Sequence, residues 1–374
     1  MNKQVCTFCV MDGTDATNTF DDQGRCRYCR RAEQLAPQLY FPNAEGEKRL
    51  SEMVNRIKAD CKNDPYDCLV GVSGGLDSTY VMYLGYKLGL RMLAIHVDDG
   101  LDTDIARNNI RAICEKTGTK LKTVSPDMPQ YKDLTLAFLK ASVPNLAIPQ
   151  DNILQKALYD EIRDGRFRYF LSGGNYAHEI ILQSMEGGDV VDLTHIRDIH
   201  RKFGSERINR LRLLSPVEKY FGSTVFSKIT YVKPLNYIDY DLQRCISELR
   251  AFCGYVYPGG KHYECVLTRF MQCWYLPQKY GIDKRKSHLS SLIVSGQLTR
   301  QEAVRMLQQP AYASEELKEY DFNFLADYFG ISRSDFDQLV GLPARRHSDY
   351  KNSSLFKFQK LGVWAKRLIR KKIR

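Results

Sequence analysis

The chain has 374 residues, enough for about two domains and at least one sizeable hydrophobic core. Its composition, with 43% hydrophobic and 26% charged residues, excludes a disordered or collagen-like protein. No apolar run approaches the roughly 20 residues that cross a bilayer. The first ten residues, MNKQVCTFCV, lack the apolar core of a secretory signal. We therefore expect a cytoplasmic protein.

The net charge of +11 is concentrated at the C-terminus. Residues 351–374 contain nine basic and no acidic side chains, which leaves the rest of the chain at +2. A protein that binds nucleic acid more often carries its positive charge across a folded face. We therefore predict no nucleic-acid partner.

The chain begins with a cysteine-rich unit, residues 1–35. It contains two Cys-x-x-Cys pairs, Cys6 with Cys9 and Cys26 with Cys29. In a reducing compartment this spacing indicates metal ligation, because four thiolates complete the tetrahedral shell of a structural Zn²⁺. The ion replaces the hydrophobic core that about 30 residues cannot build. An iron–sulfur cluster at the same cysteines stays open as the alternative.

Residues 48–240 alternate between short apolar strands and amphipathic helices. The strands are predicted at 68–72, 91–97, 120–124, 168–171 and 229–235, and the helices at 76–88, 103–116 and 151–163. This alternation predicts βαβ units, a parallel sheet and hence an α/β domain. Residues 33–47, with two prolines and one glycine, are predicted to be a linker. Residues 241–350 are predicted to be helical.

The first predicted strand is followed by the hexapeptide SGGLDS, residues 73–78. A glycine turn between a buried strand and a helix binds phosphate, because free N–H groups and the helix dipole face the anion. The loop is not a Walker A motif, since no lysine follows the glycines. A carboxylate at Asp77 repels phosphate unless a cation lies between them, so we predict Mg²⁺ there. The candidate residues are Ser73, Gly74, Gly75, Asp77 and Ser78.

The hexapeptide resembles the signature of the PP-loop ATP pyrophosphatases, which cleave ATP between the α and β phosphates. Two further segments carry the resemblance, LSGGN at 171–175 and YVKPL at 231–235. It implies the PP-loop fold and ATP as the nucleotide. The contacts that it implies are Gly173, Gly174 and Asn175 with the nucleotide, Lys233 with phosphate, and His96 and Asp98 with adenosine.

Within this superfamily the chain resembles the N-acetyl sugar amidotransferases of bacterial surface-glycan biosynthesis. The resemblance rests on the paired cysteine knuckles and on residues 196–204, 259–270 and 275–291. Members adenylate the oxygen of an N-acetyl group on an activated sugar, and ammonia then displaces AMP to leave an acetamidino group. The resemblance implies a UDP-linked acetamido sugar as substrate, with lipopolysaccharide O-antigen biosynthesis favoured.

Four polar residues follow the glycine pair 259–260 within nine positions: Lys261, His262, Glu264 and Arg269. We predict that Lys261 and Arg269 neutralise charge on pyrophosphate or substrate. We predict that His262 or Glu264 accepts a proton from the attacking ammonium. The candidates for the diphosphate of a nucleotide sugar are His200, Arg201 and Lys202, for which a solvated basic helix face is an equal alternative.

A catalytic cysteine for glutamine hydrolysis is not recognisable in the sequence. The chain begins Met1-Asn2 and contains no Gly-x-Cys-x-Gly elbow. We therefore expect the ammonia to come from a separate glutaminase subunit. The resemblance implies a channel-forming barrel subunit beside it, as in the pair that forms imidazole glycerol phosphate synthase.

The basic tail, residues 351–374, interleaves lysine and arginine with bulky apolar residues. Three interpretations stay open. The tail is a helix on the membrane surface that gives peripheral membrane contact, a segment that docks on the partner subunits, or a terminal helix packed on its own domain.

The alternative to a sugar amidotransferase is a tRNA-thiolating PP-loop enzyme, which also carries paired cysteine knuckles. That function requires a reactive cysteine in the catalytic domain and a basic body. The remaining seven cysteines lack Cys-x-x-Cys spacing, and we predict that they are small core residues. A third hypothesis is a non-catalytic module that binds zinc and nucleotide. The presence of Asp77 together with Ser73 and Ser78 argues against it.

Overall fold

The structure, a computed structural model, describes residues 4–183, 188–219 and 229–353. None of the helices in these ranges combines the length and the apolarity needed to cross a membrane. The predictions for the basic tail fall almost entirely on residues 354–374, which lie outside the described residues.

A parallel five-stranded sheet, in the order β3-β2-β1-β4-β5, forms the centre of the described part of the chain. The strands are β1 (Cys68–Gly71), β2 (Met92–Val97), β3 (Lys120–Val124), β4 (Tyr169–Leu171) and β5 (Thr230–Val232). The inner strands β1, β2 and β4 are almost wholly buried, which explains their uninterrupted apolar sequences. The predicted α/β class is confirmed.

Helices surround the sheet on both faces. They are α1 (Arg27–Leu39), α2 (Ala44–Asp60), α3 (Leu76–Lys87), α4 (Asp104–Thr117), α5 (Met128–Ala141), α6 (Ile148–Asp164), α7 (Tyr176–Glu179) and α8 (Leu193–Phe203). Several of them differ from expectation, and two differences have a clear physical cause. Helix α1 continues into the predicted linker and contains Pro37. Helix α5 escapes prediction because its buried residues include Gln130, Asp133 and Thr135, which interrupt the apolar periodicity.

The order of the strands reverses between β1 and β4. In open α/β sheets such a reversal leaves a crevice at the carboxyl ends of the two strands, where ligands bind. Residues 72–75 follow β1, and residues 172–175 follow β4. The fold therefore brings the two predicted glycine turns to one crevice.

The C-terminal region is helical, as predicted. Its helices are α9 (Leu242–Cys253), α10 (Val266–Phe270), α11 (Leu276–Tyr280), α12 (Arg285–Val294), α13 (Arg300–Gln308), α14 (Glu315–Phe329) and α15 (Arg333–Val340). One hydrophobic core joins α10, α11, α14 and α15 to α5, with Phe138, Phe270, Phe322 and Phe336 buried together. This core contains residues from both sides of the predicted boundary at residue 240. The helical region therefore packs directly on the sheet-containing part.

The cysteine-rich unit is attached to the C-terminal helices. Its four cysteines share a core with Leu289 and Ile293 of α12. The guanidinium of Arg300 donates to the carbonyl oxygens of Cys6 and Cys9, each at 3.2 Å. Helix α12 thus links the cysteine unit to the crevice, which residues at its start also reach.

Candidate active site

The glycine loop packs tightly on the start of α4. Gly74 has a φ of 75°, in the left-handed region that glycine adopts readily. A Cβ atom at Gly74 would lie only 2.4 Å from the carbonyl oxygen of Ala106. Both the backbone conformation and the close approach therefore require glycine at this position.

Ser73 and Ser78 connect the two ends of the loop. The N–H of Ser73 donates to Oγ of Ser78 at 3.1 Å, and the two hydroxyl oxygens lie 3.1 Å apart. The hydroxyl of Ser73 also donates to Oε1 of Glu264 at 3.2 Å. Both serines line the cavity in the crevice, so their hydroxyl groups face a ligand bound there.

Groups from distant parts of the chain hold the carboxylate of Asp77. Its Oδ1 accepts hydrogen bonds from Tyr240 at 2.7 Å and from the amide of Asn175 at 3.0 Å. Its Oδ2 contacts the ammonium of Lys261. Burial alone would raise the pKa of Asp77, but Lys261 and His178 hold this pKa well below its usual value. Asp77 is therefore ionised.

Lys261 brings a positive charge into the crevice from the C-terminal half of the chain. Its Nζ contacts Asp77 and lies 2.9 Å from Oε1 of Glu179. Burial opposes the charged form, but the two carboxylates raise the pKa of Lys261 above its usual value. Lys261 occupies the position beside Asp77 where the sequence predicts a metal cation.

His262 and Glu264 also reach the glycine loop. A Cβ atom at Gly75 would lie 2.5 Å from Oε1 of Glu264, so a larger residue there would require the Glu264 side chain to move. Nε2 of His262 lies 3.9 Å from Glu179, and its Nδ1 lies 3.9 Å from Glu264. Burial would lower the pKa of His262, but Glu264 more than offsets this, and the pKa is raised. Both residues line the cavity.

The second glycine turn packs against the first. A Cβ atom at Gly173 would lie 3.2 Å from Cβ of Asp77. Asn175 caps α7 by accepting from the N–H of His178 at 2.8 Å, while its amide donates to Asp77. Gly174 instead neighbours Lys233, whose side chain is exposed and does not line the cavity.

The two residues predicted to contact adenosine lie together at the end of β2, with a ring nitrogen of His96 within 4.8 Å of a carboxylate oxygen of Asp98. His96 lines the cavity, donates through Nδ1 to the carbonyl oxygen of Val72 at 3.0 Å and approaches Asp102 to 2.9 Å through Nε2. Asp98 is exposed and accepts from the N–H of Gly100. The neighbouring Asp99 is buried and lines the cavity instead of Asp98.

A cavity of about 620 Å³ lies between the glycine loop and the C-terminal helices. Sequence analysis missed several of its polar lining residues: Asp99, Asp151, His178, Glu179, Lys284 and His288. His178 and Glu179 lie in the short helix that follows the second glycine turn, and this position is the signal that would have found them. Asp151 carries no such signal, although burial raises its pKa to about 6.

Three predicted substrate contacts lie elsewhere. His200 pairs with Asp133 at 2.9 Å, and Lys202 pairs with Asp198 at 2.7 Å, as does the neighbouring Arg201. None of these residues lines the cavity. Because these basic groups are already paired with the buried carboxylates of Asp133 and Asp198, their position does not support the predicted contact with a diphosphate.

Arg269 is likewise turned away from the cavity. Its guanidinium forms a two-point ion pair with Asp321, with Nε donating at 2.8 Å, and both residues are buried. A bidentate pair of this kind occupies the donor face that would bind phosphate. The position indicates a structural role in joining α10 to α14.

The four predicted metal ligands form one buried cluster. The Sγ–Sγ distances are 3.9 Å for Cys6–Cys29, 3.7 Å for Cys9–Cys26 and 3.6 Å for Cys26–Cys29. Tetrahedral Zn²⁺, with Zn–S bonds of about 2.3 Å, separates its sulfur ligands by about 3.8 Å. The backbone N–H groups of Cys9 and Cys26 donate to Sγ of Cys6, which stabilises a thiolate. The cluster has the dimensions to bind a single tetrahedral ion.

The cavity offers carboxylate oxygens that suit the predicted Mg²⁺, but those of Asp77 already have hydrogen-bond and ion-pair partners. The carboxylates of Asp77, Glu179 and Glu264 line the cavity, and oxygen ligands of this type suit Mg²⁺. Asp77, however, already accepts two hydrogen bonds and contacts Lys261. An ion that binds Oδ2 of Asp77 therefore competes with Lys261 for that oxygen.

Two sequence families match separate parts of the chain. Residues 67–202 match the family described as queuosine biosynthesis protein QueC. Residues 264–362 match the family described as LPS biosynthesis protein WbpG-like, C-terminal domain. The first match contains both glycine turns, and the second begins at Glu264 and contains helices that cover the cavity. No curated protein matches the chain with significance.

Several solved structures resemble the chain weakly. The NH3-dependent NAD synthetase from Campylobacter jejuni is 14% identical and covers 77% of this chain and 97% of its own, with a TM-score of 0.33. The NMN synthetase from Francisella tularensis is 14% identical and covers 81% and 99%, with a TM-score of 0.33. The U34-tRNA thiolase NcsA from Methanococcus maripaludis, with its 4Fe-4S cluster, is 13% identical and covers 86% and 97%, with a TM-score of 0.33. At such scores the fold assignment depends on the sheet and on the two family matches.

Proposed function

Given that this chain belongs to the PP-loop ATP pyrophosphatase superfamily, we propose that it is an ATP-dependent amidotransferase of lipopolysaccharide biosynthesis. Its substrate is a nucleotide-activated acetamido sugar, and its product carries an acetamidino group in place of one N-acetyl group. The match of residues 264–362 to a WbpG-like domain supports the pathway.

One observation carries this proposal. The segment that introduces the WbpG-like domain brings Lys261, His262 and Glu264 against the glycine loop, so that both halves of the chain share one cavity. A nucleotide on the loop then faces charged groups from a domain associated with surface-glycan synthesis. Such an arrangement holds ATP and a second substrate side by side, as transfer of AMP requires.

In the first step the oxygen of the acetamide attacks the α-phosphorus of ATP, and pyrophosphate leaves. The N–H groups of the glycine loop and the hydroxyls of Ser73 and Ser78 bind the phosphates. Lys261 stabilises the negative charge that develops on pyrophosphate. Asp77 and Glu179 would hold a Mg²⁺ ion, which would supply further neutralisation of phosphate charge, and Lys261 lies beside both carboxylates to share in it.

In the second step ammonia adds to the activated carbon, and AMP leaves with the former acetamide oxygen. The product is an amidine. An ammonium ion must lose a proton before it attacks, and Glu264 and His262 lie within reach of the loop to accept it. The C-terminal helices line one side of the cavity and limit the access of water, which hydrolyses the activated amide.

The ammonia comes from a separate glutaminase subunit, together with a channel-forming barrel subunit, in a pair like imidazole glycerol phosphate synthase. The cavity-lining thiol belongs to Cys265, whose pKa burial raises to about 12. A thiol that stays protonated at neutral pH is a poor nucleophile for glutamine.

The four cysteines bind a structural Zn²⁺. Sulfur separations close to those of a single tetrahedral ion support this choice over a four-iron cluster, whose inserted iron atoms hold their ligands farther apart. The same raised pKa of Cys265 gives less support to tRNA thiolation, which requires a reactive cysteine in the cavity.

The proposal is tested by incubating the chain with ATP, Mg²⁺, ammonium and a UDP-linked diacetamido sugar whose acetamide oxygen carries a heavy-isotope label. We expect pyrophosphate, a product in which oxygen is replaced by NH, and the label in AMP. Release of pyrophosphate with bulk tRNA and a sulfur donor, but not with the sugar, contradicts the proposal.

A further inference from the structure

A buried lysine in the cavity pairs with no carboxylate of the described residues. Lys284, the residue before α12, lines the cavity but is only 9% exposed. Its Nζ donates to the carbonyl oxygen of Gln183 at 3.5 Å. Among residues 4–183, 188–219 and 229–353, no carboxylate forms an ion pair with it, whereas Lys261 has two such partners.

An unpaired ammonium in a buried position is unfavourable. Removing it from water costs free energy that a neutral carbonyl oxygen at 3.5 Å offsets only in part. Burial accordingly lowers the pKa of Lys284. A methionine of similar length would fill the same space without this cost, so the charge has a use other than stability.

The residue one turn further along α12 faces the same space. The ring of His288 lines the cavity, and its centroid lies 6.0 Å from that of His262. Burial, followed by the charges of His262, Lys261 and Lys284, lowers the pKa of His288 well below its usual value. The start of α12 therefore brings two basic side chains, those of Lys284 and His288, to the wall of the cavity.

We propose that Lys284 and His288 form a subsite that binds a negatively charged group of the sugar substrate while the glycine loop holds ATP. This inference deepens the proposed function and rests on it. The shared chemistry of the ligand is an oxyanion, either a carboxylate on the sugar ring or the diphosphate that links the sugar to its nucleotide. This subsite takes the substrate-binding role that the sequence predicted for His200 and Lys202, which are paired with carboxylates outside the cavity.

The test compares Lys284→Met and Lys284→Gln with Lys286→Gln. Lys286 lies on the same helix, pairs with Asp12 and does not line the cavity, which makes it the matched control. Binding of ATP, UDP, D-glucuronate and uncharged N-acetylglucosamine to the full chain is measured by titration calorimetry, and thermal unfolding is followed in parallel. None of these measurements requires turnover.

We expect both Lys284 variants to unfold at the same temperature as the unmodified chain or above it. We expect their affinity for either UDP or glucuronate to fall about tenfold or more, with ATP affinity unchanged. The probe that loses affinity identifies diphosphate or carboxylate as the group bound. Lys286→Gln should lower the unfolding temperature and bind all probes normally.

Three results overturn the inference: unchanged binding of both anions, an equal loss of ATP affinity, or a lower unfolding temperature in both Lys284 variants. If anion binding depends on Lys284 but no amidine forms in the labelled reaction, the subsite stands and the proposed function fails. The experiments therefore distinguish a failure of the subsite proposal from a failure of the proposed function.

Discussion

The ammonium group of Lys261 contacts the carboxylate of Asp77, although 184 positions of sequence separate the two residues. The pair joins the first turn of α3 to the loop that precedes residues 264–362, the segment that matches the WbpG-like family. Because Glu179 also contacts Lys261, the second glycine turn belongs to the same network. Both halves of the chain are thus needed to complete the site.

Replacing Asp77 with asparagine should nearly abolish pyrophosphate release. The change preserves shape but leaves Lys261 and His178 without their shared negative charge, and we expect a loss of roughly a hundredfold in turnover. The matched control is Asp104→Asn, because Asp104 is 81% exposed at the start of α4. Equal activity of the two variants would show that Asp77 has no part in the reaction.

Replacing Gly74 with alanine should destroy nucleotide binding. The new Cβ atom would lie 2.4 Å from the backbone oxygen of Ala106, so the loop must change shape. Gly118→Ala is the control, since Gly118 also has a positive φ but no atom within 4 Å of its Cβ position. That variant should lose only about 1 kcal/mol of unfolding free energy and bind ATP normally. Normal ATP binding by the Gly74 variant, measured by calorimetry, would contradict the loop's role.

Cys26→Ser should remove the metal and lower the unfolding temperature by about 5 °C or more. Turnover should fall with it, because the cysteine unit packs on α12, which lines the cavity. Metal content and thermal unfolding are the measurements, and Cys253→Ser, outside the cluster, is the control. Full metal content in the Cys26 variant would reject the four-cysteine site.

Cys265→Ser separates amidination from thiolation. The thiol lies in the cavity and interacts with Gln150, and its pKa is raised to about 12 by burial. An amidotransferase has no need of it, so kcat/KM with the sugar should change less than about threefold. Loss of all turnover, together with retained ATP binding, would favour a thiol-dependent reaction.

The buried pair His195 and His347 should make stability depend on pH. His347 accepts from the N–H of Asn145 through Nε2, so it donates through Nδ1 to His195, 2.9 Å away. Burial, and then the neighbouring His195, lowers the pKa of His347 to about 3. The pKa of a histidine in the unfolded chain is about 6.5. Between these values only the unfolded chain binds the proton, so stability falls as the pH decreases through this window.

His347→Gln replaces the titrating imidazole with an amide, which still offers one hydrogen-bond acceptor and a donor. The unfolding temperature of the unmodified chain should therefore drop more steeply between about pH 6.5 and pH 4 than that of the variant. Parallel curves for the two proteins would show that His347 is not the titrating group. Thermal unfolding at closely spaced pH values is the measurement.

The sequence predicted the strands, the glycine loop and the cysteine cluster. Each depends on residues close together in the chain: an apolar run for a buried strand, SGGLDS for the loop, and Cys-x-x-Cys spacing for the ligands. Helix α5 was missed because its buried polar residues find partners far away, such as Asn209 for Gln130 and Ser205 for Asp133. The spacing of apolar residues within the helix does not reveal such distant partners.

The sequence alone therefore determined which segments form the sheet, which turn suits a phosphate and which thiols meet around an ion. Only the tertiary structure decided which charged side chains face the cavity. Lys261 and Arg269 look alike in sequence, but Lys261 meets Asp77 in the cavity, and Arg269 is buried against Asp321. The direction of a charged side chain is set by the partner that offsets its loss of water, and that partner is supplied by the fold.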